Sequence, residues 1–134
     1  MANENTWEEL IRAKAREGQA NPAHPYNAHF YEARRGAEVR IFDLYRSASG
    51  IITIGECLPL GRPPLQTPLV PARESEAYVR VNYGGRRSES PDEMMATFAA
   101  EHGLSEVQKF AEIQTSGEMP RLILEVLRRL KVLQ

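Results

Sequence analysis

Apolar positions follow a helical rhythm near both ends of the chain and a strand rhythm in the middle. Near the N-terminus, Trp7, Leu10 and Ile11 keep the i, i+3, i+4 spacing of one helix face. Thr6 precedes them as a cap, Glu9 stands where a capping box needs its acid, and Gly18 follows Glu17 as a stop. A short amphipathic helix is expected there. From Gln19 to Arg35 the pattern dissolves. Pro22 and Pro25 restrict the backbone, Tyr26, Phe30 and Tyr31 read as aromatic anchors, and at most one helical turn is expected around Ala28 to Ala33.

Alternation begins at Glu38. Val39, Ile41, Asp43 and Tyr45 fall on one face of a strand ending at Arg46, with Phe42 and Leu44 on the other. Apolar residues on both faces imply a strand covered on both sides. Ser47-Ala48-Ser49-Gly50 supplies a turn, and Ile51 to Leu58, rich in β-branched residues, returns as the second arm of a hairpin. A third strand is expected from Glu76 to Tyr83, with Ala77, Val79, Val81 and Tyr83 on one face, Arg80 and Asn82 on the other, and Gly84-Gly85 as its end.

Beyond it the spacing reads as three helices. Ser90-Pro91-Asp92-Glu93 combines a cap, a proline at the first helical position and an acidic first turn, and His102-Gly103 is the stop. Ser105 and Gln108 suggest a second helix carrying Val107, Phe110 and Ala111, followed by a break at Thr115 to Gly117. Pro120 opens a third, running nearly to Gln134. Ile123, Val126, Leu127, Leu130 and Leu133 form its stripe, Leu122, Leu124 and Val132 widen it, and Glu125 with Arg129 makes an i, i+4 pair. The expected fold is therefore one α+β domain over residues 1–134: a three-stranded antiparallel sheet, an N-terminal helix and a C-terminal three-helix segment. A proline-rich excursion at 59–73, with Pro59, Pro63, Pro64, Pro68 and Pro71, interrupts it.

Composition narrows the function classes. The chain has 134 residues, enough for a core without disulfides or a structural metal. A formal net charge of -1 gives no global attraction to nucleic acid or membrane. The single cysteine, Cys57, precludes an internal disulfide and favours a reducing compartment. The N-terminus lacks the apolar core of a signal peptide, and no apolar run reaches the roughly 20 residues that span a bilayer. The expected location is the cytoplasm. Of the 17 basic residues only Lys14, Lys109 and Lys131 are lysine, and the rest are arginine, the better partner for planar anions.

Local chemistry is sparse. Pro68-Leu69-Val70-Pro71-Ala72-Arg73 reads P-x-x-P-x-R, an SH3-type ligand pattern that also describes a stiff connector packed on the domain's own sheet. Gly84-Gly85-Arg86-Arg87-Ser88 could cradle an anion or serve as a plain turn; neither a Walker nor a dinucleotide spacing is present. A helix-turn-helix reading of 92–114 fails on Glu106 and Glu112, which a phosphate backbone would repel. His24, His29 and His102 show no metal-ligand spacing, so no metal and no cofactor are expected. Asp43, in phase with an apolar face, is the best candidate general base, with His24 or His29 as its partner; a salt bridge to an arginine is the plainer alternative.

Three functions compete on this reading. The favoured one is a protein-binding, assembly or regulatory module, homo-oligomeric through Leu122, Ile123, Val126, Leu127, Leu130 and Leu133, whose stripe exceeds what a small sheet buries. The second binds nucleic acid through Arg40, Arg46, Arg80, Arg86 and Arg87. The third is a small cofactor-free enzyme using Asp43 with His24 or His29.

Overall fold

A computed structural model describes residues 27–69, 73–74, 78–88, 90–113 and 119–130. These form a mostly β structure in which one antiparallel sheet carries a helix on each face. The strands are β1 (Ala28–Arg35), β2 (Glu38–Arg46), β3 (Ile51–Pro59), β4 (Arg73–Glu74), β5 (Tyr78–Arg87) and β6 (Ser105–Ile113), in the order β4-β5-β3-β2-β1-β6. Helix α1 (Pro91–His102) links β5 to β6, and α2 (Met119–Arg129) follows β6.

The expected hairpin is present as β2 and β3, joined through Ser47–Gly50, where Ser47 N bonds Ile51 O at 2.9 Å. Helix α1 starts as its sequence dictates: the Ser90 side chain accepts from Glu93 N, Pro91 and the acidic pair Asp92 and Glu93 fill the first turn, and Gly103 ends it in the left-handed region at φ 66.

The three-stranded sheet with three C-terminal helices is corrected by the coordinates. Ala28–Arg35, expected to be irregular, is a full strand between β2 and β6. Ser105–Ile113, expected to be a helix, is strand β6. The reason lies in its pairing with β1. Phe30 pairs with Ala111 and the next residue, Tyr31, with Lys109, so Phe110 is the extra residue of a bulge. Phe110 and Ala111 both pack toward the same core, and the resulting 107, 110, 111 spacing imitates a helix face. The third strand also runs past Gly84-Gly85, which sit inside β5. The expected N-terminal helix at 6–17 lies outside the described residues.

Strand alternation sends side chains into two cores. One face packs Tyr31, Phe42, Leu44, Ile52, Ile54, Val81 and Tyr83 against Met94, Met95, Phe98 and Ala99 of α1. The other packs Phe30, Ile41, Cys57 and Ile113 against Leu122, Val126 and Leu130 at α2. A sheet covered on both sides needs apolar residues in both phases, which is what β1 to β3 carry.

The proline-rich excursion lies along the sheet. Arg62 Nη1 donates to Val39 O at 2.8 Å, Leu65 N to Tyr83 Oη at 3.0 Å, and Leu69 N to Asn82 O at 2.9 Å. Gly84 is in the left-handed region at φ +102, and the Leu69 side chain occupies the space a Cβ would need. These contacts favour the connector reading of the segment; residues 70–72 of the P-x-x-P-x-R pattern lie outside the described residues.

Candidate functional site

Most of the charged side chains singled out from the sequence are committed to internal ion pairs. Asp43 is buried, and Arg80 reaches it across β3, with Nη2 at 2.6 Å from Oδ1 and Nε at 3.0 Å from Oδ2. The bridge lies over Gly55, where any Cβ would collide with both partners. Arg80 also covers the Tyr45 ring, with Cζ 5.2 Å from its centroid. Burial works against the Arg80 charge, but Asp43 more than restores it and raises its pKa. Cys57 Sγ lies 3.9 Å from Asp43 Oδ2, and burial, then the Asp43 charge, pushes the thiol well above its ordinary range. It is no nucleophile.

On the opposite face, Arg40 and Glu56 form a second buried pair. Arg40 Nε donates to Glu56 Oε2 at 2.7 Å, Tyr83 Oη donates to Glu56 Oε1 at 2.6 Å, and Arg40 Nη2 reaches Pro63 O at 3.2 Å. Burial raises the Glu56 pKa against the pull of those donors. A fully buried carboxylate requires donors, which Arg40 and Tyr83 supply, and both also hold the proline-rich segment, Arg40 at Pro63 O and Tyr83 at Leu65 N.

The proposed acid–base pair is not assembled. Asp43 pairs with Phe30 and shares its face, whereas His29, the preceding residue, points to the opposite face. His24 lies outside the described residues. Among the described residues no group of three or more His, Cys, Asp or Glu side chains has the arrangement to hold a metal ion. The five arginines offered for nucleic acid are also dispersed. Arg40, Arg80 and Arg86 face Glu56, Asp43 and Glu101; of the five, Arg46 and Arg87 are exposed and make no carboxylate bridge among the described residues.

A shallow groove of about 240 Å³ lies between the end of β5 and the end of α1, lined in part by Tyr83, Gly84, Gly85, Arg86, Glu101 and His102. It coincides with the sequence-derived anion loop, yet it is not built as one. Gly84 N is taken by Asn82 Oδ1 at 2.7 Å, and Arg86 faces Glu101 at 3.4 Å. His102 is held by Phe98 O at 3.0 Å and Gln66 Oε1 at 3.1 Å, with its ring stacked on Phe98.

The apolar stripe of the last helix is turned inward. Leu122, Val126, Leu127 and Leu130 are buried within the chain, as is Leu124. The side chain of Ile123 and all of Leu133 lie outside the described residues. Arg129 fastens the helix from above: it pairs with Glu125 at 2.9 Å and with Glu32, and lies 4.1 Å over the Phe110 ring. The surplus apolar surface expected from the sequence is thus largely absorbed by the sheet.

Among the described residues, what remains open is the β6 edge. β6 is the last strand in the sheet order, pairs only with β1 among the described residues, and is exposed from Ser105 to Lys109. Glu106 adopts φ 52, an uncommon value for a side-chain-bearing residue, and its carboxylate meets Arg34 at 2.9 Å. The bulge puts Lys109 and Glu112 on the α1 face, 3.6 Å apart. Lys109 also lies 3.5 Å from Asp92, which accepts the Tyr31 hydroxyl at 2.5 Å. Burial and that hydrogen bond hold the Tyr31 phenol far above its ordinary range, while Tyr31 holds the Asp92 carboxyl below its own. His29 completes the cluster, with Nδ1 3.8 Å from Glu112 Oε1. Tyr31, Asp92, Lys109 and Glu112 went unnoticed as a group in the sequence, because they come together only through the β1–β6 pairing.

No family model matches this chain, and no curated protein or solved structure shows significant similarity to it. No helix among the described residues is long and apolar enough to cross a membrane.

Proposed function

We propose that this protein is an assembly module in which two copies join through their β6 strands, extending the sheet across a two-fold axis. The observation that carries this reading is the edge of a nine-residue strand, open among the described residues, on a sheet whose two faces each carry one of the chain's own helices. An edge strand offers a row of unpaired amides and carbonyls, the standard template for adding another strand. The charges on β6 make the second copy a suitable occupant. In an antiparallel pair centred between Phe110 and Ala111, Lys109 of each copy stands opposite Glu112 of the other, twice by symmetry. The same charges disfavour a strand that would set a like charge opposite Lys109 or Glu112. This reading replaces the helix stripe as the interface, since that stripe is buried. Location in the cytoplasm belongs to the same proposal, supported by the single free thiol.

One strand pair makes a small interface, on the order of 1,000 Å² or less, so a dissociation constant of roughly micromolar order is expected. Sedimentation velocity at about 100 µM should show a dimer, well above that expected constant. Lys109→Glu places like charges opposite each other and should give a monomer, and Lys109→Glu with Glu112→Lys should restore the dimer. A wild-type monomer at that concentration, or a dimer indifferent to Lys109→Glu, overturns the proposal.

A further inference from the structure

His29 is the one buried histidine described, and it sits directly beneath the strand proposed to pair. It is 8% exposed, and its Nδ1 has no hydrogen-bond partner. Asn27 Oδ1, two residues earlier and on the same side of the strand, is also buried without one. Buried polar atoms are nearly always satisfied, so an imidazole nitrogen left without a partner beside a carboxylate is an exception that calls for a reason. In the register of the sheet, His29 lies opposite Glu112, the residue that the proposed dimer uses to meet Lys109 of the second copy.

We infer that protonation of His29 regulates β6 pairing: the imidazolium draws the Glu112 carboxylate inward and removes it from Lys109 of the second copy. The inference rests on the assembly reading above and adds its control. The charged groups around the ring are Glu112 and Lys109 from β6, Asp92 from α1 and Arg46 from β2, with the Tyr31 hydroxyl nearby on the same face of β1. Two carboxylates face two cations, so their influences largely offset and burial decides. Burial lowers the His29 pKa from its ordinary 6.5, with Glu112 opposing, so the ring is neutral at neutral pH. Its proton is taken up only on acidification, below 6.5, and Glu112 at 3.8 Å is then the nearest carboxylate. Linkage makes the effect reciprocal: a dimer that holds Glu112 outward also lowers the affinity of His29 for a proton.

The test is the dimer dissociation constant measured by sedimentation from neutral pH down to the onset of acid unfolding, for the wild type and His29→Gln. The wild-type dimer should weaken about tenfold or more on acidification, since each dimer carries two such rings, while His29→Gln should hold a nearly constant affinity. The His29 ring proton, followed by NMR, should titrate at lower pH in the dimer than in dilute monomer. A dimer with pH-independent affinity, pH dependence that survives in His29→Gln, or a His29 titration unmoved by association sinks this inference alone. A monomer at every pH sinks the assembly reading and this one with it.

Discussion

Gly55 lies beneath the Asp43–Arg80 bridge, in space that the bridge leaves to no side chain. Replacement by alanine in mid-strand is ordinarily favourable, by about 0.5–1 kcal/mol, because glycine gives up more backbone freedom on folding. Here the added Cβ would stand 2.5 Å from Arg80 Nη2, 2.6 Å from Asp43 Oδ1 and 2.9 Å from Arg80 Cζ. Ordinary contact begins near 3.4 Å, so the guanidinium and the carboxylate must both withdraw by most of an ångström. The bidentate pair then breaks, and Asp43, 1% exposed, loses its partner inside the core. Separating a buried pair costs about 3–5 kcal/mol, which the gain in backbone entropy offsets only in part, leaving a net loss of about 2–4 kcal/mol. Urea denaturation of wild type and Gly55→Ala measures this directly. Repeating the substitution in an Asp43→Ala/Arg80→Ala background isolates the cause: with the bridge gone, Gly55→Ala should become neutral or stabilising. A Gly55→Ala protein as stable as wild type, or an equal loss in both backgrounds, refutes the reasoning.

Two further outcomes follow from the same coordinates. Arg40→Met leaves Glu56, fully buried, without its guanidinium, and should cost about 3–5 kcal/mol by chemical denaturation; it should also expose the proline-rich segment to limited proteolysis, since Arg40 Nη2 holds Pro63 O at 3.2 Å. Glu106→Gly relieves a side-chain-bearing residue at φ 52 and should stabilise the fold by about 0.5–1 kcal/mol, less whatever the half-exposed pair with Arg34 contributes, with a raised melting temperature as the readout.

The elements legible in the sequence are those whose determinants are close together in the chain. The β2–β3 hairpin depends on the turn at Ser47–Gly50, and α1 on Ser90, Pro91 and Gly103. Both were readable because caps and turns act over a few residues. β1 was not, because it is covered on both faces: Phe30 faces one helix and Tyr31 the other, so no alternation shows. β6 is not legible either, because its bulge exists only against β1, and without that partner the positions of Phe110 and Ala111 look helical. The sequence puts Asp43 on an apolar face but leaves its partner as one of many arginines. The pairing with Arg80 depends on β5 lying beside β3, 37 residues away in sequence. The C-terminal stripe is legible as apolar, but what covers it is not, because three strands are too small a sheet to bury it and only three are legible. A sheet of five long strands and a short edge strand offers enough area to bury it.

By itself, then, the sequence determined which residues are apolar, where α1 begins and ends, how the hairpin turns, and that no disulfide forms within the chain. Those properties reside in single side chains or in neighbours a few bonds apart. The tertiary structure decided what each apolar face covers, that β1 joins β6, that the buried carboxylates take Arg80 and Arg40, and that His29 meets Glu112. Each of these is a distance between residues remote in sequence, set by strand order and register, and no local preference encodes such a distance.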